Sequence, residues 1–211
     1  MFNSFEINNI THHFDAKTGF LRQTNPDDFV YDNNYNQKQS TTVEMSYFRL
    51  ALMMSHLPAD LFINPKILEI GPGKGVFLEV LRRHFENVHG FDVVDSSYYS
   101  DVSPVFAKKE NWDILIACDV IEHMRDISEL FSYNFDYAYV STPWMCPIEL
   151  MSKWRHFKPN EHIWYIEPEK FHKWASSFGY SVVFSGSPED VIRKRWDKKF
   201  PNIASFILMR K

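Results

Sequence analysis

The stretch 66-KILEIGPGKGVFLEVLRR-83 decides how this chain reads. A short apolar run, 66-KILEI-70, carries a carboxylate, Glu69, near its end. Glycines then alternate at Gly71, Gly73 and Gly75, and an amphipathic pattern predicts a helix over 75–85. Glycines spaced in this way after a strand let backbone approach a ligand with no Cβ between them. A bare strand-to-helix turn needs only one. Two phosphate-binding patterns fail. A P-loop requires Gly-Lys-Ser/Thr, but Lys74 is followed by Gly75 and Val76. A dinucleotide fingerprint requires glycine at its sixth place, which is Val76, although Asp92 stands where a ribose-binding acid would.

Outward from this stretch, strands and helices alternate. Apolar runs at 88–93, 113–118 and 137–141 read as strands, and 121–132 and 168–178 as helices, the second ending before Gly179 as a C′ residue. Runs at 180–186 and 203–210 add two strands, predicted to pair antiparallel at the sheet edge. Apolar strands alternating with helices imply an α/β, doubly wound, mostly parallel sheet covered on both faces. The charged run 193-RKRWDKK-199 reads as a solvated connection, with a phosphate contact as the sharper alternative. Upstream, 40–58 predicts a helix with Thr41 and Glu44 as a capping box, a buried face of Val43, Tyr47, Leu50, Met54 and Leu57, and Pro58 as its stop. Residues 1–38 are polar and Asn-rich and read as irregular structure. The expected organisation is one globular unit, with 1–58 as an extension and helix packed on a domain spanning 59–211.

Composition limits the function classes. The net charge of −4 disfavours non-specific nucleic-acid binding. No apolar run is long enough for a bilayer, the N-terminus lacks a signal pattern, and Cys118 and Cys146 are too isolated for a disulfide framework. A cytoplasmic protein with no membrane partner is expected.

Glu69-x-Gly71-x-Gly73-x-Gly75 resembles motif I of the class I S-adenosylmethionine (SAM)-dependent methyltransferases. The run 112-WDILIACDVIEHM-124 resembles their fourth strand, 138-AYVSTPW-144 their fifth strand and the loop after it, and 161–183 the stretch that closes the acceptor pocket. The segment 18-TGFLRQTNPDDFVYDNNY-35 resembles the lead-in of sugar methyltransferases. The resemblance implies a Rossmann-like sheet of seven strands with an antiparallel edge strand. From Asp92 to Ile114 there are only about 20 residues where a helix, a strand and a connection take roughly 40. The fold is therefore expected to be shortened between strands 2 and 4, with 96–106 as a loop or one minimal strand.

The resemblance also implies roles. Glu69 takes the SAM ammonium, directly or through water. The loop Gly71, Gly73 and Gly75 takes the methionine end, and Asp92 takes both ribose hydroxyls. Asp101 is the candidate adenine-holding acid, with Cys118 and Asp119 also on the cofactor side. His123 and His162 are the candidate catalytic bases, and Trp144, Arg155 and Glu161 the candidate acceptor contacts. The Asp/Asn-Pro-Pro-aromatic motif of base N-methyltransferases is replaced by 118-CDVIEH-123. An oxygen or amine of a small molecule, with a saccharide or nucleotide-linked sugar foremost, is therefore the expected acceptor. Asp119, Glu122, His123 and His162 also resemble the divalent-metal site of small-RNA 2′-O-methyltransferases, so metal-assisted ribose methylation of RNA is one alternative. A catalytically silent scaffold is another, which the intact Glu69, glycines and Asp92 disfavour.

Overall fold

The computed structural model describes residues 4–29, 41–93, 99–195 and 200–211. In chain order the elements are β1 (Ser4–Ile7), β2 (Ile10–Phe14), β3 (Leu21–Gln23), α1 (Val43–His56), β4 (Ile67–Ile70), α2 (Val76–Arg82) and β5 (Val88–Phe91). There follow α3 (Pro104–Lys109), β6 (Asn111–Cys118), β7 (Asn134–Pro143), α4 (Ile148–Met151), β8 (Trp164–Tyr165), α5 (Pro168–Ser177), β9 (Tyr180–Gly186), α6 (Glu189–Ile192) and β10 (Ile203–Arg210). Among the described residues no helix is long and apolar enough to cross a membrane.

The main sheet has the order β5-β4-β6-β7-β10-β9. Its first four strands are parallel, and β10 runs antiparallel to both β7 and β9. The predicted antiparallel pairing of the last two strands is present, but the reversed strand lies one place in from the edge, and β9 is outermost. Alternate side chains of each strand feed two cores. Leu68, Leu115 and Ala117 pack under α5 with Phe171 and Trp174. Ile67, Ile114 and Ile116 pack under α1 and α2 with Met53, Phe77 and Leu81. Near-continuous apolar strands are what a sheet buried on both faces requires.

Several expectations are corrected. The sheet has six strands among the described residues, not seven. Between β5 and β6 the shortened segment forms α3, which starts where Ser103 Oγ accepts from the Phe106 N–H at 3.2 Å and Pro104 opens the helix. Part of the expected loop, 94–98, lies outside the described residues. The predicted helix over 121–132 is two 3-10 turns, Ile121–His123 and Ile127–Ser132, the second begun by Asp126 accepting from Ser128 N–H. Residues 4–23 are not irregular. They form an antiparallel meander whose outer strand β3 pairs with β8. Asn8 and Asn9, with φ of 51° and 63°, make the two-residue turn between Ile7 and Ile10, a conformation asparagine tolerates.

Helix α1 is capped by Thr42, not Thr41, and of the face expected to be buried only Leu50 and Leu57 are. Val43, Tyr47 and Met54 are exposed, while Met45, Ser46, Arg49, Leu50 and Met53 are buried. Arg49 can occupy that face because Glu189 meets it, with Nε at 2.8 Å and Nη2 at 3.0 Å from the two carboxylate oxygens. Tyr139 on β7 donates to the same carboxylate at 2.8 Å. Burial alone would raise the Glu189 pKa, but Arg49 pulls it down to about 2. Removing one member of a buried pair strands the other charge. Glu189→Gln is therefore expected to cost about 3–5 kcal/mol of stability, measured by urea unfolding. A loss below about 1 kcal/mol would show that Arg49 finds another partner.

Candidate active site

A cavity of about 520 Å³ opens at the carboxyl ends of β4, β6 and β7. This is where parallel α/β sheets place ligands. One wall is formed by Glu69, Gly71, Pro72, Cys118 and Asp119. Gly71 and Gly75 have φ of 63° and 67°, in the left-handed region. A Cβ on Gly71 would lie 2.5 Å from Val120 Cγ2, so the loop packs this tightly against the turn after β6 only because it carries no side chain. The Gly73 N–H donates to Asp92 Oδ2 at 3.1 Å, which places Asp92 beside the glycine loop.

Glu69 is buried at the end of β4, and its Oε2 has no hydrogen-bond partner. Burial raises its pKa to about 8, against the opposing pull of Arg49 and Arg82. An unpartnered buried carboxylate oxygen facing a cavity fits a cationic donor group such as an ammonium. Cys118 is a neutral thiol, pushed up by burial. Asp119 has a left-handed φ of 55°, and its carboxylate faces Arg193 at 3.4 Å and Arg49 at 3.8 Å.

The opposite wall holds Glu122, His123, Glu161 and His162. The two imidazole rings meet edge to face, with centroids 4.7 Å apart. His123 Nδ1 lies 2.8 Å from the Glu161 carbonyl oxygen, which can only accept. Nδ1 therefore carries the proton in the neutral ring, and Nε2 keeps its lone pair. Burial lowers the pKa of both His123 and His162, so both are neutral at pH 7. Glu122 is buried, with Oε2 accepting from Thr142 at 3.0 Å and Oε1 unpartnered. Burial, then Asp119, hold its pKa well above the usual carboxylate value. Donor atoms of Glu122, His123 and His162 lie within 4.8 Å of one another. Asp119, the fourth member of the expected metal set, does not join them and points to the arginines instead.

Two expected site residues lie elsewhere. Asp101 does not face the cavity. Its carboxylate accepts from the Gly90 N–H at 2.7 Å and pairs with Arg82 at 2.8 Å, so it pins α2 to β5. Trp144 lines a separate groove with Phe14, Met145 and Phe200. Arg155 and Glu161 do line the cavity, as expected. Arg49, His156 and Lys158 also line it; the sequence reading missed Arg49, whereas His156 and Lys158 fall in 153-KWRHFKPNEH-162, whose mix of cations and aromatics reads either as a wall for an anionic acceptor or as a solvated loop. Arg193, in a run read as a solvated connection or a phosphate contact, lines the cavity and pairs with Glu189 at 3.0 Å; residues 196–199 of that run lie outside the described residues. An arginine flanked at helical spacing by Met45, Leu50 and Met53 was the available signal for Arg49.

Residues 45–184, more than half of the chain, match the family model of the methyltransferase domain. The chain belongs to this methyltransferase domain family. No curated protein matches its sequence. The methyltransferase is similar in structure to a SAM-dependent methyltransferase from Archaeoglobus fulgidus, with a TM-score of 0.59 at 16% identity, covering 85% of this chain and all of that one. It is also similar to magnesium protoporphyrin IX methyltransferase from Synechocystis PCC 6803 with bound SAH, with a TM-score of 0.55 at 12% identity, covering 88% and 90%. A SAM-dependent methyltransferase from Clostridium acetobutylicum ATCC 824 gives a TM-score of 0.57 at 9% identity, covering 81% and 93%. These likenesses carry the α/β fold with its mostly parallel sheet.

The state of Glu69 generates a test. Below about pH 8 the free methyltransferase carries Glu69 protonated, and pairing with an ammonium requires the carboxylate. Binding SAM at pH 7 is therefore expected to release about one proton, and affinity to fall as the pH drops. Calorimetry in buffers of different ionisation enthalpy measures the release, and Glu69→Gln should remove it. A wild-type binding heat independent of the buffer would sever Glu69 from the ammonium.

Proposed function

We propose that this methyltransferase moves the methyl group of SAM to an oxygen or amine nitrogen of a small polar acceptor, of the saccharide or nucleotide-linked sugar class. The single observation that carries the reading is the buried, unpartnered Glu69 oxygen facing one cavity shared with the neutral His123–His162 pair. Bound SAM supplies a sulfonium methyl group open to in-line displacement. Glu69 would hold its ammonium, the Gly71–Gly75 loop its methionine end, and Asp92 its ribose hydroxyls, with Cys118 and Asp119 alongside. On the facing wall, Arg155 and Glu161 would orient the acceptor. His123 Nε2 is the lone pair positioned to take the acceptor proton, and its ring is fixed by the Glu161 carbonyl. His162 packs edge-on against that ring and restricts its rotation. The buried walls keep water from competing for the methyl group.

A second reading rests on the cluster of Glu122, His123 and His162. Two neutral imidazoles and one carboxylate suit a divalent ion, which would lower the pKa of an acceptor hydroxyl.

Turnover of SAM against a panel of saccharides and nucleotide-linked sugars tests the main reading. Asp92→Ala should weaken SAM by about 1–3 kcal/mol, read by calorimetry. His123→Ala should lower kcat by about 10²–10⁴-fold with SAM affinity unchanged. Absence of any binding heat or melting shift with SAM or its demethylated product would overturn the reading. Full turnover in chelator would remove the second reading, and loss of turnover restored by Mg²⁺, Mn²⁺ or Zn²⁺ would replace the histidine base with an ion.

A further inference from the structure

We infer, resting on the methyltransferase reading above, that the acceptor carries a phosphate group, and that Arg155 and Arg193 bind it in the cavity. Arg155 lies in the turn after α4 and lines the cavity, yet among the described residues it has no carboxylate or carbonyl partner. Arg193 lines the same cavity from the end of α6. Its guanidinium is held by Glu189 at 3.0 Å and Asp119 at 3.4 Å, so its position is fixed before any ligand arrives. Arg195 follows two residues on, with its backbone N–H anchored on the Asp190 carbonyl at 2.8 Å.

Arg193 and Arg195 both act on the charge of Arg155. Burial first, then Arg195 and Arg193, lower the pKa of Arg155, and Asp119 only partly offsets them. Crowding guanidinium groups costs repulsion that an anion between them removes. A phosphate fits this demand because it carries up to two charges, and its oxygens accept the paired N–H groups of several guanidinium planes.

Cationic side chains gather at the cavity, although the protein is acidic: Arg49, Arg155, Lys158 and Arg193 line it. Arg49 is paired with Glu189, Lys158 with Glu161 at 2.7 Å, and Arg193 with Glu189 and Asp119, whereas Arg155 has no such ion pair among the described residues. A guanidinium left unpaired at a cavity wall attracts small anions. A cavity of about 520 Å³ has the size of a small-molecule site, and the net charge of −4 opposes a long polyanion.

The test is calorimetric titration of inorganic pyrophosphate into the whole protein, with and without saturating S-adenosylhomocysteine. Wild type should bind. Arg155→Ser should weaken pyrophosphate by about tenfold or more, and Arg155→Lys by less, with the melting temperature and S-adenosylhomocysteine affinity unchanged. No wild-type pyrophosphate binding, or undiminished binding by Arg155→Ser, overturns the proposal. Tighter binding of a short single-stranded RNA than of pyrophosphate, weakened by the same substitutions, overturns the small-molecule assignment. Failure of S-adenosylhomocysteine to bind wild type counts against the methyltransferase reading alone, because pyrophosphate binding by the free protein still decides this one.

Discussion

The fold and the cavity both depend on the buried ion pair between Arg49 and Glu189, which joins residues 140 apart in sequence. Glu189 also accepts from Tyr139 in the middle of the sheet, and Tyr139 in turn meets Ser205 on β10 at 3.2 Å. One carboxylate thus fixes α1, β7 and α6 together. The same carboxylate holds Arg193, and through Arg193 and Arg49 it sets the direction of Asp119 at the cavity wall. A charge buried this deeply is tolerated only because its partners leave no proton or lone pair idle. The network therefore sets the geometry of the site as well as holding the fold.

The sheet was legible because its chemistry is one-dimensional. Runs such as 113-DILIAC-118 and 203-IASFILMR-210 are apolar on both faces, and a strand inside a covered sheet has no other pattern to show. The glycine loop was legible because few backbones need three left-handed residues in five. Where a polar residue is satisfied by a distant partner, local pattern misleads. The true inner face of α1 contains Ser46 and Arg49, and nothing within the helix reveals Glu189. The Asn8–Asn9 turn carried a local signal that composition alone obscured, since both residues counted toward an apparently irregular Asn-rich stretch.

Of the expected site residues, most lie at or beside the cavity, and Asp101 and Trp144 lie away from it. Glu69, Asp92, His123 and His162 stand next to β-strand ends or in the loop that closes over them. Asp101 failed because the shortened segment brings it back onto Gly90, where backbone N–H and Arg82 claim both carboxylate oxygens. Trp144 failed because β7 continues through Pro143 and carries the next side chain past the cavity rim. Charge states were invisible in the sequence altogether. Glu69 and Glu122 count as anions in any composition, yet burial without a cationic partner at hydrogen-bond distance holds each of them protonated.

The pairing of β3 with β8 has a temporal side. On the edge of β3 away from β2, Leu21 and Arg22 pair with Tyr165 and Trp164, and Gln23 exchanges amide hydrogen bonds with Asn160 at 2.6 and 2.8 Å. During synthesis the meander emerges early with one edge open, and that edge waits for more than half of the chain to follow. An open strand edge is a template for mispairing with other nascent chains. Closure of that edge is also the event that seats the loop bearing His156, Glu161 and His162. Nascent chains thus lose their exposed edge and gain one wall of the cavity in the same step.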